Sequence, residues 1–325
     1  MRAVSALMVA VFAFAAAGGS FARADEGPAI PLVRVRAGAP LAYELVRGGP
    51  CAGRRTRASE TPVSAAAFAR ALGGRGVART IVFVPGFATS VSLAYAAARR
   101  IARTLGPADR VVFVDWGSAG RKSAYERDAR TAHRNAPMLS AALLAIRALA
   151  PHRELDVFAH SLGTRVVAMA IPTFPASDGV VVANMVLAAP DMTVDDYRRA
   201  IARVPGPFRH VTLYVSRLDR ALLLSEIVHL HRRLGLITHW QRALANTDVV
   251  DASAASRGTP DGHGYAIDEP ALIADVGLTL AGAPVPHRAW RTETGAGSST
   301  WVLALPPAAI RVASDSCAAV AAKAP

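Results

Sequence analysis

The sequence predicts an α/β protein with a mostly parallel central sheet and helices on both faces, and three observations on its 325 residues carry that prediction. Short apolar runs rich in β-branched residues recur along the chain, stretches with helical spacing separate them, and glycine or proline marks most of the joins. Strands buried on both faces read as continuous apolar runs, whereas half-exposed strands alternate with polar residues. Strands that alternate with helices call for parallel pairing through right-handed crossovers.

Residues 1–24 stand apart from this pattern. Arg2 supplies a positive start, 6–17 is an uncharged apolar run, and Ala22-Arg23-Ala24 reads as a small-residue cleavage site before Asp25. The run is shorter than the roughly 20 residues a bilayer span needs. The expectation is an export signal cleaved after Ala24 and a periplasmic or secreted protein; no Cys follows the run to indicate a lipid-modified N-terminus.

Residues 25–77 read as an N-terminal edge segment, in which 41–46 opens the sheet as an antiparallel edge and 47–62 is a loop rich in Gly, Pro and Arg. The core is expected over 78–283. Its buried strands are 80–84, 110–114, 155–159, 184–188 and 210–215, with 247–252 as a last one. Between them, Leu93, Ala97, Ile101 and Leu105 recur at four-residue steps before the stop signal Gly106-Pro107. A second helical stretch covers 122–149, its apolar stripe running through Leu139, Leu143 and Ile146, with Pro137 a candidate kink or division. A third, 162–171, ends at Pro172. Residues 284–325 read as an irregular C-terminal extension: turn-rich 292–300, a short apolar 301–305 and an Ala-rich tail.

Composition narrows the function classes. At 52% hydrophobic and 19% charged, with 25 Gly, 21 Pro and two Cys, the chain is not collagen-like, a disulfide-dense miniprotein or a disordered tail. The formal net charge of +13 invites a nucleic-acid reading, but only Lys122 and Lys323 of the 37 basic residues are lysines, and the arginines form no block of five or six. No nucleic-acid partner is expected. Without residues 1–24 the charge is +11 on 301 residues, which predicts at most a weak association with anionic envelope surfaces that salt removes. Cys51 and Cys317 are candidates for a disulfide in an exported chain. A bridge between them would close most of the chain, worth about 4–5 kcal/mol in the chain-entropy model; two separate thiols are the alternative.

The chemistry begins at LDVFAHSLG, residues 155–163. A buried strand runs into His160-Ser161-Leu162-Gly163 and then a helix, the context that a nucleophile elbow requires. Strand and helix backbones nearly touch there, so the positions two before and two after the serine must be small. Gly163 satisfies this fully, and Ala159 stands where glycine is usual. A serine that merely caps a helix is the plainer reading of Ser161.

A serine hydroxyl needs a base to take its proton, and the base needs an acid to fix its tautomer. On an elbow of this kind the acid and then the histidine follow the serine in the chain. Asp219, in VSRLDRALLLS, is the favoured acid and Asp191, in LAAPD, the alternative; both follow strand ends where ligands bind in open α/β sheets. Of nine histidines, His263 lies in Asp261-Gly262-His263-Gly264-Tyr265, whose glycines let an imidazole reach over the sheet edge. His133 and His152 precede the serine; His229, His231 and His239 fall in the helical stretch 222–240; His210 starts a strand at the far end; His287 lies in the extension. His160 is read as a wall of the pocket. The backbone N–H groups of Leu162 and of Phe87, in the loop Pro85-Gly86-Phe87-Ala88-Thr89-Ser90, are the candidate oxyanion donors, each worth about 3 kcal/mol of barrier when well aimed. Pro85 has no N–H to offer, and an ordinary Pro-Gly turn is the plainer reading of this loop. With no H-E-x-x-H, no Cys pair at ligand spacing and no P-loop, neither metal nor cofactor is expected.

The blocks IVFVPGFATS, VVFVDWGSAG, VFAHSLGTRV, LAAPDM, VTLYVSRLDRALLLS and DGHGY, in that order over about residues 78–267, resemble a bacterial α/β-hydrolase subfamily of unknown function within the serine esterase and lipase-like superfamily. The resemblance implies the α/β-hydrolase fold and a Ser161, Asp219, His263 triad. Pro85 departs from the histidine the family usually has before Gly-Phe, which puts the hydrogen bonding of the oxyanion loop in question, and Ala159 departs as noted. The expected activity is hydrolysis of a small carboxylic ester through an acyl-enzyme. Thioesterases, amidases and acyltransferases use the same machinery. A non-catalytic hydrolase-fold protein that binds an acyl ligand or a partner is the alternative from another class, separated from the enzyme by the distance between His263 and Ser161.

Overall fold

A computed structural model describes residues 27–49, 52, 56–74, 76–174, 181–202, 208–236, 247–283, 291–293 and 300–303. Their strands are β1 (Ile30–Arg34), β2 (Ala42–Arg47), β3 (Ser59–Val63), β4 (Arg79–Val84), β5 (Asp109–Asp115), β6 (Glu154–His160), β7 (Val182–Ala188), β8 (Phe208–Val215), β9 (Thr247–Asp251), β10 (Arg291–Glu293) and β11 (Thr300–Leu303). They form one sheet in the order β10-β11-β9-β8-β7-β6-β4-β5-β1-β2-β3. Every pairing from β11 to β1 is parallel; β1 with β2, β2 with β3 and β10 with β11 are antiparallel.

The helices are α1 (Ala65–Leu72), α2 (Val91–Leu105), α3 (Tyr125–Leu149), α4 (Leu162–Ala170), α5 (Val194–Ala202), α6 (Arg220–His229), α7 (Ser253–Ser256), α8 (Tyr265–Asp268) and α9 (Pro270–Leu280). Side chains alternate across a strand, so one strand feeds two cores. In β4, Val82 and Val84 join Phe68 of α1, Leu139 and Leu143 of α3, Val166 of α4 and Tyr197 of α5. Ile81 and Phe83 join Tyr95 and Ile101 of α2, Tyr265 of α8 and Ile273 of α9 on the opposite face. Each such buried aliphatic or aromatic side chain contributes about 1.5–3 kcal/mol relative to exposure. The helices therefore cover both faces of a mostly parallel sheet.

Several expectations change. The loop expected over 47–62 ends in β3, which is the sheet's edge in place of 41–46. Its sequence, SETPV, is exposed and carries a proline, both tolerated on an edge strand that pairs on one side only. Ile30–Arg34, not singled out in the sequence, is inserted between β5 and β2; its Pro31 precedes the stretch paired with β5, which starts at Leu32. One helix, α3, runs unbroken through Pro137. In α2 the buried face is Ala94, Tyr95, Ala97, Ala98 and Ile101, while Leu93 is exposed. A strict four-residue step overshoots a turn by about 40° and drifts off the core face. Within 292–305, β10 and β11 extend the sheet. Residues 1–24, read as an export signal, and Cys51, Cys317 and the tail lie outside the described residues.

The strand order places the site. The chain steps from β4 to β5 in one direction and then crosses back to β6 on the other side of β4. Connections leave the carboxyl ends of β4 and β6 in opposite directions, and such a switch point opens a crevice. The loop 85–90 and Ser161 face each other across it.

Candidate active site

Ser161 occupies the turn between β6 and α4 with φ 52° and ψ −128°, a conformation that L residues rarely adopt. Strain of this sort costs about 1–3 kcal/mol and persists only where the surroundings hold it. Here they do. The Ser161 N–H donates to the Ala188 carbonyl at 3.0 Å, and the Ser161 carbonyl accepts from the Thr164 N–H at 3.0 Å and the Thr164 hydroxyl at 2.7 Å. Two glycines make the close approach possible. A Cβ on Gly163 would collide with the Val84 and Pro85 carbonyl oxygens, and one on Gly86 would stand 2.8 Å from the Ser161 Cβ.

His263 Nε2 lies 2.8 Å from Ser161 Oγ, and His263 Nδ1 lies 2.7 Å from Asp219 Oδ2. An ionised carboxylate only accepts, so Nδ1 carries the proton and Nε2 is left to accept from the serine hydroxyl. Burial disfavours the charged imidazole, but the Asp219 hydrogen bond and charge, with Asp191 and Asp261 adding, raise the His263 pKa above its usual 6.5. The loop that carries it is built for the reach. Gly262 has φ +69°, and a Cβ there would strike the Leu218 carbonyl; Asp261 Oδ1 accepts the His263 N–H at 3.0 Å. From below, His160 Nε2 donates to the His263 carbonyl at 3.1 Å, with ring centroids 4.9 Å apart. Burial, then the neighbouring imidazole, pushes His160 down to about 3, so it stays a neutral wall.

Asp219 is buried and divides its oxygens: Oδ2 takes the imidazole, and Oδ1 accepts the Leu222 N–H at 2.9 Å as the N-cap of α6. Asp191 is buried as well, but its partners are the Tyr125 hydroxyl at 2.8 Å, the Ser225 hydroxyl at 2.9 Å and Arg233 Nε at 3.4 Å. The structure thus brings Ser161, His263 and Asp219 into one chain of contacts and leaves Asp191 bonded elsewhere. His210 meets Asp248 at 2.9 Å on the amino half of β8. His133 and His152 are exposed, and His229 stacks on Tyr125. His231 lies exposed beyond the end of α6, while His239 and His287 lie outside the described residues.

Among the described residues, the Phe87 and Leu162 N–H groups donate to no other protein group. The departure at Pro85 is accommodated by residues the sequence reading missed. The buried Trp116 indole donates to the Pro85 carbonyl at 2.7 Å. Asp128 of α3, fully buried, accepts the Ala119 N–H at 2.8 Å, the Ser118 hydroxyl at 2.7 Å and the Ala88 N–H at 3.4 Å, and Ser118 Oγ accepts the Thr89 N–H at 3.1 Å. The signals were the Trp in VVFVDWGSAG and an acid on the helical face that continues into Ala132, Ala136, Leu139 and Leu143. Beyond the loop, Phe87 packs edge-on against Tyr125 at 5.2 Å, and Tyr125 against His229 at 4.9 Å. Burial, then the Asp191 charge, pushes the Tyr125 hydroxyl up to about 12.

A strained serine at the carboxyl end of a central parallel strand, hydrogen-bonded to a histidine on a later loop, on a sheet covered by helices on both faces, defines an α/β hydrolase. The chain belongs to the family of alpha/beta hydrolases of unknown function, DUF900, whose profile matches residues 63–281. Among curated proteins no relative matches it. Among solved structures it is similar to lipase B of Aspergillus fumigatus, at 17% identity and TM-score 0.42 over 64% of this chain and 53% of the lipase, so that it spans about half of that protein's length. It is similar also to an esterase of Pyrobaculum calidifontis, at 13% identity and TM-score 0.44 over 79% and 87%. A third likeness is to carboxyl esterase 2 of Tuber melanosporum, at 13% identity and TM-score 0.41 over 81% and 88%. At such identities the likeness concerns the fold alone.

Proposed function

We propose that the protein is a serine hydrolase of carboxylic esters that works through an acyl-enzyme. The observation that carries this reading is the continuous chain from Ser161 Oγ through His263 to Asp219, at 2.8 and 2.7 Å. Nucleophile, base and orienting acid within hydrogen-bond reach are the signature of covalent acyl transfer. Those distances favour the enzyme over a protein that only binds.

His263 takes the Ser161 proton as Oγ attacks the acyl carbonyl, and Asp219 holds the imidazolium that forms. The oxyanion rests on the Phe87 and Leu162 amides. His263 then protonates the leaving alcohol, and water releases the acyl group by the reverse route. The export signal read over 1–24 assigns this activity to the periplasm or the medium.

Treatment with a fluorophosphonate, read by intact mass, tests the proposal. One adduct is expected on the native protein and none on Ser161→Ala; no adduct, or one retained in the variant, overturns it. A panel of p-nitrophenyl esters of increasing acyl length, run with matched thioesters and anilides, then orders the leaving groups, with oxygen esters expected to turn over fastest.

A further inference from the structure

We propose that the exposed face of α6 docks the protein on an anionic lipid surface, and that lipid esters drawn from that surface reach Ser161; the second half of this proposal rests on the hydrolase reading above.

α6 is anchored from beneath. Asp219 caps it, Leu222 is buried, Ser225 donates to Asp191, and Glu226 accepts the Arg233 N–H at 3.0 Å. Its outer face is apolar: Leu223, Leu224, Ile227 and Val228 follow one another at helical spacing, and Leu230 lies just past the end. Leu224, Ile227 and Val228 are 61%, 62% and 64% exposed and Leu230 is 86% exposed, with Leu218, at 38%, on the approach to the helix. Folded chains seldom leave so many adjacent large aliphatic side chains in water unless something covers them.

The charges around this stripe select the partner. Arg220 flanks one end, beside Arg217, which is paired with Asp251 at 3.2 Å, and His231 and Arg232 flank the other, across a shallow pocket from Asp195 and Asp196 of α5; all four basic side chains are exposed. The sole carboxylate on α6 itself, Glu226, is half-buried and accepts the Arg233 backbone N–H, while Glu126 of α3, largely exposed, meets His229 at 3.1 Å beside the stripe. An apolar stripe with basic ends and no acid on its outer face has the composition of helices that lie in the plane of a lipid–water interface, and anionic headgroups attract such ends. A second copy of the chain packed antiparallel on the stripe would set basic ends against basic ends. The expectation drawn from net charge, a diffuse association with anionic surfaces, thereby acquires a location. That location matters because α6 begins at the residue that holds His263, and because Phe87, Tyr125 and His229 run as a row of rings from the oxyanion loop to the far end of α6.

The test is co-sedimentation of the full chain with vesicles of phosphatidylcholine, with and without one quarter phosphatidylglycerol. The native protein, Leu224→Glu/Ile227→Glu and Arg220→Glu/Arg232→Glu are compared, all carrying the same N-terminus, with thermal midpoints as the fold control. The native chain is expected to bind the anionic vesicles, roughly tenfold more tightly than Leu224→Glu/Ile227→Glu and several-fold more tightly than the arginine variant or than itself in high salt. No binding, equal binding by the glutamate variant, equal binding to neutral vesicles, or a solution dimer that the glutamate variant dissociates would each overturn the proposal. Should the glutamate variant unfold, the arginine variant and the salt dependence decide. Fluorophosphonate labelling of the same preparation separates the two readings: vesicle binding without an adduct retains the docking surface and removes the hydrolase, and an adduct without vesicle binding does the reverse.

Discussion

Two loops leave neighbouring parallel strands at the same end of the sheet, one after β7 and one after β8, and each delivers a buried aspartate. The first carries Asp191, whose carboxylate is committed to Tyr125, Ser225 and Arg233. The second carries Asp219, which gives one oxygen to the helix it caps and keeps the other for His263. Position at a strand end does not decide which acid orients the histidine; the allotment of lone pairs does. An acid whose oxygens already accept from two hydroxyls and face a buried guanidinium is a structural anion. An acid that needs one oxygen for capping has one to spare.

The largest expected effect breaks this comparison on the side of rate. Asp219→Asn preserves shape and the capping oxygen but cannot hold the Nδ1–H tautomer, and kcat for ester hydrolysis should fall about 10⁴-fold with little change in the unfolding midpoint. The pH profile sharpens the point. His263 must be neutral to act as base, so activity rises with pH through its pKa, and because Asp219 and its neighbours raise that pKa the acid limb of kcat/KM should lie above pH 6.5. In Asp219→Asn the same burial acts without the compensating charge, and the limb of the residual activity should move to lower pH. Profiles of both proteins on one soluble ester decide this, and an unmoved limb would contradict the assignment.

Asp191→Asn should show the opposite pattern. Arg233 is only 4% exposed and would lose the charge it faces. An uncompensated buried ion costs about 3–5 kcal/mol, so the denaturant midpoint should drop substantially while kcat changes by less than roughly tenfold, the Asp191 charge being one of the minor influences on His263. A variant that kept its stability and lost activity as fully as Asp219→Asn would erase the distinction between the two loops.

Next in size is Gly262→Ala. The residue at φ +69° packs against the Leu218 carbonyl, one position before the acid, so a methyl group must push the two loops apart. A displacement of about 1 Å at a catalytic group costs on the order of 10²-fold in rate, and the loss should appear in kcat more than in KM. Nothing comparable is expected from small substitutions around Asp191.

How much of this was legible in the sequence follows the same line between continuous patterns and allotted contacts. The strands of the central sheet announced themselves because each carries a short apolar run rich in β-branched residues, and Ser161, Asp219 and His263 because chain order and strand ends constrain where each can lie. Ser59–Val63 and Ile30–Arg34 were not legible. The first is an exposed edge with nothing to bury, and the second is a five-residue run with a proline in it. Choosing Asp219 over Asp191 remained open because it depends on Tyr125, Ser225 and Arg233, 66, 34 and 42 positions from Asp191 in the chain. The support of the loop 85–90 by Trp116 and Asp128 was hidden for that reason as well. Apolar periodicity also says nothing about which side of a helix finds a partner, so the open face of α6 had to be seen.

The smallest effect concerns Ala159, the residue that stands where elbows usually have glycine. It lies in β6 opposite Val84 of β4 and Leu187 of β7, wholly buried in the middle of the sheet. If its methyl strained the elbow, Ala159→Gly would speed the reaction and stabilise the chain. The packing argues otherwise: the substitution removes a buried methyl worth about 0.8 kcal/mol and adds backbone entropy to the unfolded chain worth about 0.5–1 kcal/mol. The expected result is a loss of about 1–2 kcal/mol, a fall of roughly 1.5–3 °C in Tm for a protein of this size, and kcat within about twofold of the native value. A faster, more stable Ala159→Gly protein would mean that the crowding borne by Gly163 on the helix side of Ser161 is shared by the strand side, and that this chain tolerates a defect there; the close approach of Val84 and Pro85 to Gly163 alone indicates that the constraint sits on the helix side.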